Sequence, residues 1–351
     1  MRVVNFLVRW FLLLGIAGVS FLALGALFGF AAPLLDVLNH FQPFLFAGTL
    51  TVLATALLGV RIRLWRKGVV ALAVLGFASS GVTMVPELAS TFVNRPGPTQ
   101  EQRVIKLLSH NLFGVNWQME LVAAEIAAEG PDILVFQEYF RGQYSRLHGL
   151  LIKDYPYFYR CGGGRRAFIA IYAKWPFELT GASACPRNVP LGSDALGRIA
   201  ARFELEDGRT FSVMTTQLNW PIQVSPLFND ELSWPERFKA TYARQAGEMS
   251  ELAQAVRSVE EPLVLVGDFN STPWSYALRK FVSEAGLSRQ TRNMMTYPTI
   301  FYLGQWVPTW PFLPIDHMMS SPGIVVHNIK TGPSAGSDHL SVIAEFSVSG
   351  G

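Results

Sequence analysis

The sequence predicts an α/β (α+β) fold. A four-layer sandwich of two mostly antiparallel β-sheets flanked by helices is expected, preceded by three transmembrane helices. Three observations point there. Hydrophobic residues make up 50% of the 351 positions and charged residues only 16%, where about a quarter is usual for a soluble chain. The first hundred residues hold long uncharged runs, and the remainder alternates apolar strand-like segments with helical ones. Hairpin turns interrupt that alternation, which pure βαβ winding would lack.

The membrane reading rests on run length. Uncharged apolar stretches lie between Arg9 and Asp36, over 43–60 and over 68–86. About 20 apolar residues span a bilayer core as a helix. The net charge of +3 divides into +5 for residues 1–100 and −2 for the rest. The basic residues cluster at Arg2 and Arg9 and in the segment RIRLWRK, 61–67. The positive-inside rule puts both on the cytoplasmic side. Three spans then carry the chain after Pro86 to the periplasmic or extracellular face of a bacterial inner membrane. The domain boundaries follow: a three-helix anchor over 1–86, a linker over 87–102 containing NRPGPTQ, and a soluble domain over 103–351.

Within that domain, RVIKLLSHNL (103–112) reads as a strand. Met119–Glu129 has helical spacing and stops at Gly130-Pro131. DILVFQE (132–138) is a buried strand. AFIAIYA (167–173) and ELTGASA (178–184) are expected to form a hairpin about a turn at Lys174–Phe177. RIAARFEL and RTFSVMTTQL flank Asp207-Gly208, a strong hairpin signal. Glu236–Val256 is one long amphipathic helix, and PLVLVGDFN (262–270) another buried strand. A helix over 274–284 and strands near 314–320, 323–330 and 340–348 follow.

Composition excludes several classes. A disordered chain is poor in apolar residues and rich in charge. Two cysteines are too few for a disulfide-stapled mini-domain or a four-cysteine zinc site. The domain has no global basic excess of the kind a dedicated DNA-binding surface carries. CGGGRR (161–166) lacks the Lys-Ser/Thr ending of a phosphate loop. What remains is a series of polar groups at strand ends: Asn111, Gln137-Glu138, Asp268 with Asn270, Asp316-His317 and Asp338-His339. Oxygen ligands without a Cys/His cluster suit a hard cation such as Mg²⁺ or Mn²⁺.

The series SHNL (109–112), FQE (136–138), GDFNSTPWS (267–275), IDH (315–317) and GSDH (336–339) resembles the endonuclease/exonuclease/phosphatase superfamily across about 104–348. The preceding spans resemble its membrane-anchored bacterial branch. The resemblance implies that Glu138 is the main metal ligand, helped by Asn111, with Asp338 as a further ligand. Asp268 would orient or deprotonate the attacking water, and Asn270 would hold the phosphate. His339 would donate to a non-bridging phosphoryl oxygen, its tautomer fixed by Asp316. His317 reads as structural. Where the family often carries a histidine before a leucine, this chain has Gln217. Asn219 lies on the same strand face and shares the position's role.

The implied activity is hydrolysis of a phosphate ester or pyrophosphate, lipid-linked substrates included, by a chain partnered with a lipid bilayer. No obligate protein partner is evident. An extracytoplasmic nuclease is the alternative enzyme, and a non-catalytic binding protein with a degenerate site is the alternative of another class. Arg165 and Arg166 can grip a phosphate bidentately. Aromatic residues crowd two loops, Phe228 and Trp234 in 221–238 and Trp306, Trp310 and Phe312 in 296–313, and suggest a lip for a lipid. Cys161 and Cys185 flank the expected hairpin and are expected to bridge, since disulfides persist outside the cytoplasm.

Overall fold

A computed structural model describes residues 2–59, 66–99, 102–163, 166–186, 196–222, 232–303 and 305–349. Arg165, Phe228 and most of the basic segment 61–67 lie outside the described residues. The chain divides into two compact units, Met1–Val93 with Thr272–Arg279, and Asn94–Ser271 with Lys280–Gly351. The inclusion of Thr272–Arg279 in the first unit was not legible in the sequence.

The first unit holds α1 (Arg2–Leu27), α2 (Pro33–Asn39), α3 (Gln42–Gly59) and α4 (Arg66–Ala89). Ile16, Ala56 and Ala73 form its small core. Small residues let the helices approach closely: a Cβ on Gly76 would sit 2.8 Å from the Ser20 Cα. Asp36 accepts hydrogen bonds from the N–H groups of Tyr276 and Ala277. Among the described residues, one helix, Lys67–Phe92, is long and apolar enough to cross a membrane, and Pro33–Asn39 with Gln42–Leu58 passes only as a pair bent by 76°. Leu13–Leu27 is a shorter apolar helix. Three separate spans are therefore not supported. The uncharged run from Arg9 to Asp36 is not one helix, because α1 stops at Leu27 and Pro33, which cannot donate a backbone hydrogen bond, opens α2.

The second unit is built on twelve of the fourteen strands among the described residues, arranged in two six-stranded sheets. In chain order the elements are β1 (Ile105–Asn111), α5 (Met119–Glu129), β2 (Ile133–Gln137), α6 (Arg141–Leu151), β3 (Tyr157–Arg160), β4 (Ala170–Ala173), β5 (Glu178–Leu179), β6 (Arg198–Glu204) and β7 (Thr210–Gln217). There follow α7 (Trp234–Arg257), β8 (Leu263–Asp268), α8 (Tyr276–Glu284), β9 (Ser288–Arg289), β10 (Ile300–Tyr302), β11 (Trp306–Pro308), β12 (Asp316–Ser320), β13 (Ile324–Thr331) and β14 (Val342–Val348). One sheet has the order β13-β14-β1-β2-β4-β3, the other β5-β6-β7-β8-β12-β9. Both are mixed. Each has one parallel pair, β1 with β2 and β7 with β8, among antiparallel neighbours.

The sheets face each other across a core of Leu107, Ile133, Ile171, Phe203, Phe211, Val266 and Phe346. Side chains alternate across a strand, so the same β1 and β2 send Leu108, Leu134 and Phe136 outward. There they meet Val122 and Ile126 of α5 and Leu147 of α6. The α5 stop is as the sequence implies: Gly130 adopts φ 60° and its N–H caps Ile126 O at 2.8 Å, the left-handed cap glycine favours. A capping box of Ser233 and Glu236 starts α7.

The expected hairpin of 167–173 with 178–184 does not form. β4 pairs with β2 and β3 in one sheet, while β5 pairs with β6 in the other. Lys174–Phe177 is a crossing between sheets, and Trp175 and Phe177 pack against the core there. Cys161 and Cys185 are nevertheless bridged, with Cα atoms 5.3 Å apart. The bridge joins the ends of β3 and the Ala184 bridge to β6, and so links the two sheets.

Candidate active site

The two parallel pairs decide where polar residues meet. Parallel strands end together, so β1 and β2 deliver Asn111 opposite Gln137, with Glu138 next in the chain. β7 and β8 deliver Gln217 opposite Asp268. β12 runs back antiparallel to β8, and its first residue, Asp316, faces Asp268. His339 lies just before β14, the antiparallel neighbour of β1. β7 and β8 can lie this close because residue 267 is glycine: a Cβ there would sit 2.1 Å from Thr216 O. Glu138 and Asn270 hold positive φ, 53° and 48°, conformations that non-glycine residues rarely adopt and that concentrate at functional sites.

A cavity of about 440 Å³ opens over this edge. Glu138, Arg166, Asp268, Asn270, Asp338 and His339 line its polar part, and Phe113, Val115, Phe140, Trp220 and Tyr297 its walls. Glu138 Oε1 accepts from Gln217 Nε2 at 2.9 Å and Arg166 Nη1 at 3.4 Å, and Oε2 from the Gly114 N–H at 2.8 Å. Burial pushes this carboxyl up, but the Arg166 charge and the two hydrogen bonds outweigh it and hold it below its ordinary value. Asp268 Oδ2 accepts from Asn111 at 2.9 Å and from Gln217 and Asn270, each at 3.2 Å. Burial, with the Asp316 charge adding to it against His339, lifts Asp268 to about 6.

Asp316 Oδ2 lies 2.8 Å from His339 Nδ1. Burial lowers the imidazole, but the Asp316 charge and hydrogen bond reverse this and raise it to about 10. Nδ1 therefore carries a proton, and Nε2 is turned to the cavity, 3.5 Å from Asn111 Nδ2 and 3.9 Å from Asp338 Oδ1. Asp338 is pushed up to about 7 by burial and by the neighbouring Glu138 and Asp268.

Every described residue expected in the site is brought to it, but two amides are oriented differently from expectation. Asn270 spends its Nδ2 on Leu218 O and Asp268, so the atom it leaves without a partner is the acceptor Oδ1. An acceptor does not grip a phosphate oxygen. Asn219 donates to Glu248 Oε1 and receives Arg166 Nε at 3.4 Å, so it positions the guanidinium. His317 points into the packing, its Nε2 2.8 Å from Ser271 O. Sequence reasoning missed Tyr297, whose ring lies 4.8 Å from that of His339, and Gln245, which donates to the carbonyls of Asn219, Phe269 and Asn270. Neither sits in a motif; only the α7 stripe that buries Gln245 beside Thr241 and Glu248 hinted at it.

The donor set suits a cation. Buried oxygens of Gln217, Asn270 and Asp338 have no hydrogen-bond partner, although buried polar atoms are normally satisfied. Ligand atoms of Asp268, Asp316 and His339 lie within 4.8 Å of one another and form a second group able to hold a metal.

A two-sheet sandwich with carboxylates, amides and a carboxylate-held imidazole gathered at one strand edge defines a class of phosphoester hydrolase. The sequence model of the Endonuclease/Exonuclease/phosphatase family matches residues 108–339, and the chain belongs to that family. Its members are hydrolases acting on phosphoester bonds. Among solved structures, the endonuclease/exonuclease/phosphatase from Beutenbergia cavernae is similar at 18% identity and TM-score 0.51, over 71% of this chain and 72% of that one. The corresponding protein from Bacteroides vulgatus matches at 18% identity and TM-score 0.51, over 71% of this chain and 100% of its own. The human Nocturnin catalytic domain matches at 20% identity and TM-score 0.49, over 72% and 100%. At such identities the likeness is one of fold. No curated protein matches the chain significantly.

Proposed function

We propose that the chain is a membrane-anchored, divalent-metal-dependent phosphoesterase that hydrolyses a phosphate ester or pyrophosphate outside the cytoplasm, with lipid-linked phosphates in its substrate range. The observation that carries the reading is the convergence of Glu138, Asp268 and the Asp316–His339 pair on one cavity within the family fold. The non-catalytic alternative loses its motive, because Gln217 is an integral donor to both Glu138 and Asp268.

Asp268, held near 6, is an anion at neutral pH and takes a proton from the attacking water. Asn270 Oδ1 orients that water. His339, held cationic by Asp316, donates through Nε2 to a non-bridging phosphoryl oxygen as charge develops there. Arg166, set by Asn219, supplies the second cation at the phosphate. Glu138, Asn111 and Asp338 would hold Mg²⁺ or Mn²⁺, which when bound supplies Lewis-acid stabilisation of phosphoryl oxygens and a more acidic water. This set is preferred over Asp268–Asp316–His339 because all its donors are oxygens, which hard cations prefer, whereas the other set includes the imidazole nitrogen.

The test offers full-length protein and its Glu138→Gln variant a water-soluble aryl phosphodiester, an aryl phosphomonoester, a lipid pyrophosphate, a phospholipid and plasmid DNA, each with Mg²⁺. Product from at least one phosphoester in the parent, reduced on the order of 10²-fold or more in the variant, is expected. Absence of product from all five would reject the reading.

A further inference from the structure

Between Arg292 and Asp316 the chain carries no charged residue. Within this stretch β10 and β11 pair antiparallel, Tyr302 opposite Trp306, as a two-stranded ribbon outside both main sheets. Its apolar side chains are not packed away. Tyr302 is 64% exposed, Leu303 75%, Trp306 51% and Trp310 90%. Isolated surface apolar residues need no explanation, but a contiguous aromatic group on one ribbon marks a contact surface.

The ribbon grows out of the site itself. At its root, the Thr299 N–H donates to Asp338 O at 2.8 Å and the Thr299 hydroxyl to Ser337 O at 2.6 Å. Trp306 packs edge-on to Phe113 at 5.3 Å, and Phe113 with Val115 forms the cavity wall. A path therefore runs from the carboxylates and His339 past an apolar wall to exposed Trp and Tyr side chains. Among the described residues lining the cavity, Arg166 is the sole guanidinium or ammonium.

That sequence of surfaces matches one kind of molecule. A polyanion such as DNA needs rows of cations along its path, and a ribbon without charge offers none. An amphiphile with a phosphate at one end and hydrocarbon at the other fits throughout. Trp and Tyr together are the side chains that settle at the headgroup level of a bilayer, one end apolar and the other wet. Resting on the phosphoesterase reading above, we propose that the ribbon Ile300–Tyr302/Trp306–Pro308 with Trp310 is a lipid-facing lip. It seats its aromatic side chains in a bilayer surface and passes the phosphate of a membrane lipid into the cavity.

Two measurements test this on the full-length chain in phosphatidylcholine nanodiscs. In the first, tryptophan emission is compared in plain and acyl-brominated discs for the parent and for Trp306→Phe/Trp310→Phe. The emission contributed by these two side chains, parent minus variant, is expected to be largely quenched by bromine. Equal brightness in both discs would overturn the lip, and equal brightness together with dimers in light scattering would assign the surface to a second copy. In the second, phosphatidic acid and phosphatidylglycerol are supplied with long or very short acyl chains. The long-to-short turnover ratio should fall at least roughly tenfold in Leu303→Ser/Trp310→Ser, since burial of even one large apolar side chain supplies about that factor. An unchanged ratio overturns the proposal. Quenching without hydrolysis of any substrate would reject the phosphoesterase reading and leave the lip standing.

Discussion

At the residue scale, the site works by setting two groups against their solution behaviour. Asp268 is lifted to about 6 and His339 to about 10. With Asp268 needed as a base and His339 as a cation, kcat/KM should rise with pH through about 6 and fall through about 10. Asp316→Asn removes the anion that raises His339, so the falling limb should move down towards the ordinary imidazole value of about 6.5. The same change should lower kcat on the order of 10²-fold while KM stays within about twofold. Steady-state profiles of parent and variant check both; a falling limb that stays in place would separate Asp316 from the imidazole. Gln217 is the residue whose role the sequence obscured most. An amide looked like a loss beside the family's histidine, yet one Nε2 donates to both Glu138 and Asp268. Gln217→Leu would leave both acceptors short of a donor, and a loss of about 1–3 kcal/mol is expected, read as a lower thermal midpoint.

At the element scale, the Cys161–Cys185 bridge joins covalently two sheets that are otherwise linked by core packing and by hydrogen bonds such as Asn111 to Asp268 and Gln137 to Thr215. Its sequence separation of 24 gives roughly 3 kcal/mol in the chain-entropy model. Cys161→Ser with Cys185→Ser should lower the thermal midpoint, and reduction should do so only in the parent. Gly267→Ala should cost about 2–3 kcal/mol, because the new Cβ meets the Thr216 carbonyl, which cannot withdraw without breaking the β7–β8 pairing. These elements also show what the sequence conveys. Strands such as 133–137 and 263–268 were legible because both faces are buried and the residues run apolar throughout. Strand partners were not: 167–173 and 178–184 look like a hairpin, since local alternation does not record which sheet a strand joins. The short α6 was missed because its buried stripe of Gln143, Leu147 and Leu151 is broken by two glycines and polar residues. The motif residues were legible because each borders an apolar run. Tyr297 and Gln245 were not, because their roles come from contacts made only in the fold.

At the scale of the whole molecule, the anchor and the catalytic chemistry are separate propositions. Orientation does not depend on three spans. On the proposed orientation, a single crossing by Lys67–Phe92, with the basic segment 61–67 held in the cytoplasm, would place the following domain on the other side. Alkaline phosphatase fused after residue 350 should therefore be active in a bacterial host, while a cytoplasmic reporter at the same point should be silent; the reverse pattern would refute the orientation. The central claim is that the oxygen-rich edge over β1, β2, β7 and β8 is a metal-dependent hydrolytic site. It is tested most directly by following phosphodiester and phosphomonoester cleavage by the full-length protein in EDTA, then on titration with Mg²⁺. Cleavage that is abolished in EDTA, restored by Mg²⁺ and absent throughout in Asp268→Asn is the predicted result. Undiminished turnover in EDTA, or an Asp268→Asn protein as active as its parent, would contradict it.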